Sequence, residues 1–427
     1  MVRRAARAAL VAALVASLLA VAASRSPAQV GSTHEQMAMP ARWWSAGASA
    51  IAYGTRVDPG IAGRTLAEGY LTQPLLHAHV VSPRDIFELR AMLDFEGRTL
   101  ARGELTPGAY GEGYVDRRHP HTYLHELVAT ARTPQWRGFS ASVSSGKGFA
   151  PFGTDDPMSR PIARFPVNHH LAQILERYVF IGALAWRPFV VETARFNGDE
   201  PEHPSDAPNA NHRGDSRATR ITLRPEYDLF RGAEIQWSTA RVRSPESPTG
   251  RGFDQHKRSA AARIERKIGD VDVYALAEWA HTDLFKANRR AFALRSSLAE
   301  ASVARGIIRL SARYEQTVRP EDERLTNAFR TVYPSAEVQI LGTTRFDVMT
   351  LGAEARRRFA GVTLAPFVEA SLVRANETAR PAAFVPREFY GSNRITQLSI
   401  GLRADVGMTH GRMGRYGVAA GRAAMHR

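Results

Sequence analysis

The feature that most limits what this chain can fold into is a period-two alternation of apolar and polar residues, with full charges in the middle of the alternating segments. In one segment Ile308, Leu310, Ala312 and Tyr314 share a face of an extended strand, while Arg309, Ser311, Arg313 and Glu315 share the other. Another opposes Leu398, Ile400, Leu402, Ala404 and Val406 to Gln397, Ser399, Gly401, Arg403 and Asp405. A third sets Val362, Leu364, Val368, Ala370 and Leu372 against Thr363, Glu369 and Ser371. Mid-strand charges need water on one face, and an uninterrupted apolar face needs a second, greasy phase on the other. A soluble β-sandwich also alternates, but its strands average about five or six residues. These segments run to about ten or more, the length of a tilted strand crossing a bilayer.

The connections sharpen the expectation. Short turns fall near Ser82-Pro83, Pro134 to Gly138, Arg187-Pro188, Arg231-Gly232, Gly269-Asp270, Arg305-Gly306 and Ala360-Gly361. Between them lie long polar segments at 55–68, 99–120, 147–173, 197–216, 244–256, 282–288, 318–340 and 375–394. Short and long alternate strictly, which is how a transmembrane barrel arranges tight periplasmic turns and long extracellular loops. Seven turns and eight loops require sixteen strands, from 45–54 at the start to 395–406 at the end. The predicted class is all-β: a transmembrane antiparallel barrel of about sixteen strands, with fourteen and eighteen left open, enclosing an aqueous lumen.

The first residues, MVRRAARAALVAALVASLLAVAASRSPAQ, place three arginines before an apolar run too short to span, followed by a small-x-small site at Ser26-Pro27-Ala28. The expected organisation is a cleaved signal peptide at 1–28, an N-terminal periplasmic segment at 29–44, the barrel at 45–406 and a C-terminal tail at 407–427, read as a periplasmic extension. Cysteine is absent, so an exported chain of this kind must hold together without disulfides. The formal net charge is +15, and removing Arg3, Arg4, Arg7 and Arg25 with the leader leaves +11. No basic cluster or binding module accompanies that charge, so nucleic acid is not an expected partner.

With its leader, lack of cysteine, amphipathic strands and alternating turns and loops, the chain resembles the bacterial outer-membrane porin family over essentially its whole mature length. The resemblance implies residence in outer-membrane lipid, passive diffusion of small hydrophilic solutes, a homotrimer as the common assembly, and no enzymatic chemistry or cofactor. It also implies that the third long loop folds inward and narrows the channel. That loop contains GKGFAPFGTDDPMSRPIARFPVNHHL, Gly146 to Leu171. Phe149, Phe152, Ile162, Phe165, Leu171, Ile174 and Leu175 are its expected wall anchors, and its prolines at 151, 157, 161 and 166 lower the entropy cost of ordering. The expected constriction set is Lys147, Asp155, Asp156, Arg160, Arg164, His169 and His170, with the aspartates facing the basic groups across the passage. The expected lumen-facing set is Arg309, Arg313, Glu315, Glu354, Arg356, Arg403 and Asp405. Positive net charge points to a mild preference for anions.

Two other readings stay open at this level. Seven of the fourteen histidines fall within residues 77–170, and His119, His121 and His125 share a parity, so a binding or receptor barrel with a His-rich metal or ligand site is the alternative. No spacing matches a zinc signature, and no metal is assigned. An outer-membrane hydrolase would need a nucleophile, base and acid in register; Ser144, Ser145, His169 and Asp155 supply only the residue types. Trp43, Trp44, Trp136, Trp186, Trp237 and Trp279 fall near expected strand ends, where an interfacial girdle would put them.

Overall fold

The computed structural model describes residues 43–420 apart from 61–62, 101–102, 106–116, 119–120, 199–200, 202–203, 206–213, 228–229, 245–251, 323–339, 379–384 and 408–411. The leader at 1–28 and nearly all of the segment 29–44 therefore lie outside the described residues. Sixteen strands cross in one antiparallel sheet. They are β1 Trp44–Asp58, β2 Leu66–Val81, β3 Phe87–Asp94, β4 Leu124–Arg132, β5 Phe139–Gly148, β6 Arg177–Trp186, β7 Phe189–Phe196 and β8 Ser216–Leu223. The second half comprises β9 Ala233–Val242, β10 Asp254–Ile268, β11 Val271–Lys286, β12 Arg289–Arg305, β13 Ile308–Asp322, β14 Ile340–Ala355, β15 Val362–Glu377 and β16 Arg394–Gly407. Arg357–Phe359 continues β14 beyond Arg356.

Each strand pairs with its neighbour in sequence, and the sheet closes where β1 meets β16, from Gly47 opposite Gly407 to Asp58 opposite Thr396. Closure leaves no edge strand to satisfy. The turn between β14 and β15 shows how tight the connections are. Ala360 and Gly361 have φ of 48° and 85°, the left-handed pair that a two-residue hairpin requires and that glycine adopts at no steric cost.

Alternation along each strand sorts side chains into two phases. Leu310, Leu351, Ile235, Ile221, Phe180 and Ile400 are exposed on the outside, whereas their sequence neighbours Thr350, Arg220 and Ser399 are buried inside. An outer belt this apolar on a single chain is what lipid would cover. All six described tryptophans are exposed, the least so Trp279 at 37%, which excludes a core-packing role and fits the girdle. Among the described residues no helix is long and apolar enough to cross a membrane.

Two strands end earlier than the alternation predicts. β3, expected to run to residue 98, stops at Asp94, whose side chain accepts the Glu96 amide at 2.8 Å and turns the chain into the helical turn Glu96–Thr99. β8, expected to reach 229, stops at Leu223 because Pro225 has no amide to give the ladder and disfavours continuation through Arg224.

Candidate functional site

Among the described residues, segments that are not wall strands enter the barrel interior; Glu104–Leu105 packs beside Val57 and Val348, and two longer ones carry the site. The first is the connection between β5 and β6. Its apolar residues Phe149, Phe152, Ile162, Phe165, Leu171, Ile174 and Leu175 are all buried, and most of them pack with inward-facing residues of β4 to β9. Gly153 bends it: with φ of 69°, a Cβ there would lie 1.7 Å from the Ala172 carbonyl, so only glycine lets the two limbs of the loop touch.

Polar groups then tie this loop to the opposite wall. The Gly153 amide donates to Ser238 on β9 at 2.9 Å. Thr154 and Arg160 both reach Glu278 on β11, Arg160 at 3.5 Å, and Asn168 donates to the other oxygen of Glu278 at 2.7 Å. The Ala163 amide donates to Glu369 on β15 at 2.6 Å, and the Val167 amide to Glu315 on β13 at 2.8 Å. Arg164 lies between Thr55 and Ser399 at 3.3 Å from each, against the β1–β16 seam. Burial lowers the Arg164 guanidinium, against the pull of Glu104 and Glu369. Burial also acts against the charge on Arg160, but Glu278 beside it holds its guanidinium above the ordinary range.

The predicted constriction residues do not form two facing rows. Asp155 pairs with Arg263 on β10 at 2.7 Å; burial alone would raise its carboxyl, and the adjacent arginines, led by Arg412, hold it well below the usual range instead. Asp156 caps the turn Pro157–Ser159 by accepting the Met158 amide at 2.8 Å. Lys147 belongs to β5 and bonds Thr122, with Glu176 at 3.9 Å. His169 is stacked edge-on against Phe165, with ring centroids 4.9 Å apart, and the His170 carbonyl accepts from Lys257 at 2.6 Å. Asp155 and Arg160 meet their counter-charges on the wall, at Arg263 and Glu278.

The predicted lumen-facing residues do gather. Glu354 has Arg309 at 3.4 Å, Arg356 at 3.1 Å and Arg403 at 3.7 Å, so three guanidinium groups surround one carboxylate, with Asp405 next along on β16. Deeper in, Arg313 pairs with Glu300 at 3.2 Å and Glu315 at 3.7 Å and donates to the Arg164 carbonyl at 2.8 Å.

Of the histidine set, His119 lies outside the described residues. His121 donates to Glu96 at 2.9 Å and has Asp94 at 3.7 Å, while His125 meets Glu176 at 2.5 Å. Asp94, Glu96 and His121 offer ligand atoms within 4.8 Å of one another and could hold a metal. The same group is hydrogen-bonded, Glu96 accepting from Thr72 at 2.5 Å, from the Gln73 amide at 2.9 Å and from His121. Glu176 is pushed up by burial but pulled down to about 2 by His125 and Lys147.

The second interior segment is the tail, which sequence reasoning placed outside the barrel. Arg412–Ala420 turns back among the inward-facing residues of β4 to β9, and Met413 and Tyr416 join the apolar cluster around Phe149. The Tyr416 hydroxyl donates to Glu126 at 3.0 Å and accepts the Phe149 amide at 3.1 Å, joining tail, wall and loop. With no alternation and no strand partner, the tail carried no pattern that could have announced this. Glu278, Arg220 and Glu192 were also missed, although their inward parity within their strands was a usable signal.

A closed sheet whose strands are greasy outside and charged inside, crossed by its third long connection, can now be compared with known proteins. The solved anion-selective porin from Comamonas acidovorans superposes with a TM-score of 0.51 at 9% identity, covering 86% of this chain and 99% of that one. The chain has the porin barrel fold. A looser match, TM-score 0.47 at 9% identity, is to OmpF of Salmonella typhi, over 84% of this porin-like chain and 97% of that one. No protein-family model matches the sequence. No curated protein matches it either.

Proposed function

We propose that this porin-like barrel sits in the bacterial outer membrane after removal of its leader, and passes small hydrophilic solutes by passive diffusion. The connection 147–173 is its inward-folded constriction, and the passage mildly prefers anions. The observation that carries the reading is the tie between that connection and the far wall at Glu278, Glu315 and Glu369, which holds a polar partition across the barrel interior. Support for the anion preference comes from a cavity of about 1150 Å³ at the turn end, whose lining includes Arg84, Arg132, Arg137, Arg187 and Arg224 against Asp85 and Glu226. No covalent step is proposed.

Planar-bilayer recordings test this directly. Wild type should give discrete steps with a reversal potential shifted toward anions, and a variant with 148–168 shortened should give larger ones. A heat-resistant folded barrel that conducts in neither form would overturn the pore reading.

The Asp94, Glu96 and His121 group favours a second reading, a metal-binding barrel. Titration with zinc or copper, compared with His121→Ala, would support it only if tight stoichiometric binding is lost in the variant.

A further inference from the structure

The tail is held in the lumen by a particular chemistry. Arg412 donates to Asp155 Oδ1 at 2.6 Å and to Glu234 Oε2, while the other oxygens of the same carboxylates, Asp155 Oδ2 and Glu234 Oε1, are held by Arg263 and Arg224 at 2.7 Å each. Arg415 reaches Glu192 at 3.5 Å, Thr222 at 3.2 Å and Gln236, and Glu192 is itself forked by Arg220 through two bonds of 2.7 Å. The wall therefore neutralises one lobe of each carboxylate with a resident arginine. It leaves the second lobe of Asp155 and of Glu234 pointing into the lumen, where the tail supplies the guanidinium.

The main chain of the tail is gripped as well. Arg220 donates to the Gly414 carbonyl at 2.8 Å, Arg90 to the Arg415 carbonyl at 3.0 Å, and Arg224 to the Ala419 carbonyl, while the Val418 amide donates to Ser142 at 3.1 Å. These bonds are side chain to main chain, as in a bound peptide, and none is a sheet ladder. The tail has little internal structure beyond the single turn Gly417–Ala419. Its two guanidiniums are not equally at ease. Arg412 is held charged by Asp155 and Glu234 despite its burial, whereas burial, Arg220 and Arg412 push Arg415 down to about 9.

We propose that the turn-side half of the lumen is a binding site for guanidinium-bearing solutes, arginine-containing peptides being the nearest chemistry, and that Arg412–Ala420 occupies it as an internal ligand. The proposal rests on the reading of this barrel as one that handles solutes. A guanidinium fits because its planar fork bridges two carboxylates about one hydrogen bond away on either side, whereas an ammonium is a point charge that cannot fork. With the tail seated, the site is filled and contributes two positive charges to the passage. With the tail withdrawn, Asp155, Glu234 and Glu192 each keep one resident arginine, and the passage loses the two charges of the tail.

The test is fluorescence anisotropy on the detergent-solubilised barrel lacking 408–427, with a labelled synthetic peptide of residues 411–420 as the probe. The truncated barrel should bind the peptide at least tenfold more tightly than the full chain does. Glu234→Gln and Asp155→Asn should weaken that binding tenfold or more, agmatine should compete, and a peptide with both arginines changed to lysine should bind more weakly. If the truncated chain does not fold, the full-length double variant Arg412→Gln, Arg415→Gln replaces it, with agmatine as the ligand. Binding no tighter to the truncated barrel than to the full chain, or indifference to the arginine-to-lysine change, overturns the proposal. The readout needs no conductance. A truncated barrel that binds the peptide but never conducts keeps the site and sinks the pore reading, and one that conducts without binding does the reverse.

Discussion

Glu278 is the residue on which the interior most depends, since Arg160, Thr154 and Asn168 of the third long connection all converge on it. Glu278→Gln leaves the Arg160 guanidinium buried without its carboxylate, a change that costs about 3–5 kcal/mol in comparable buried pairs. The expected outcome is a lower temperature for loss of the heat-resistant folded band on a gel, with larger or noisier conductance steps. Glu176 makes a prediction about acid. Its folded value of about 2 lies below the ordinary 4.5, so the stability it contributes is fully present above that ordinary value and lost as pH falls through about 2. Glu176→Gln should therefore flatten the loss of thermal stability between neutral and strongly acidic buffer; an unchanged acid profile would count against the His125–Glu176–Lys147 arrangement.

At the scale of elements, what could be read from sequence was whatever repeats. All sixteen strands were legible because a period of two is imposed by the pleat itself, and a charge on the wrong parity would face lipid. Arg309, Arg313, Glu315, Glu354, Arg356, Arg403 and Asp405 were chosen by the same parity, and four of them, Arg309, Glu354, Arg356 and Arg403, stand together. The third long connection could be recognised by composition, but its pairings could not, because each depends on a wall residue more than a hundred positions away, as Arg160 does on Glu278. The tail was illegible, its docking depending on side chains from many strands that become neighbours only once the sheet is curved. Gly153→Ala tests the neck of the loop: a Cβ would collide with the Ala172 carbonyl, so the two limbs must part. Greater protease sensitivity within 148–175 in a barrel that still resists heat is the expected result.

For the whole molecule the prediction concerns the two phases. Leu351 faces outward and its neighbour Thr350 inward against Ser371, so an arginine at the first must enter lipid while a small polar residue at the second stays among polar interior groups. Leu351→Arg should lower the yield of folded barrel in liposomes, with a cost of about 2–4 kcal/mol if the position lies at mid-bilayer and less near its edges. Thr350→Ser, which keeps the hydroxyl on the inner face, should fold at close to the wild-type yield. Equal effects from the two would mean that the outer belt is not in lipid.

The seam between β1 and β16 also fixes an order of events. Its two partners stand at opposite ends of the barrel sequence, Ser49 opposite Asp405 and Tyr53 opposite Gly401, so the first strand made must wait for the last. Until then, one long ribbon carries two unpaired margins, which is the state most open to pairing with another chain. The tail follows the final strand directly, and so arrives only as the ring is completed. An affinity tag appended after Arg427 would travel with it, and a tag placed just before β1 would not.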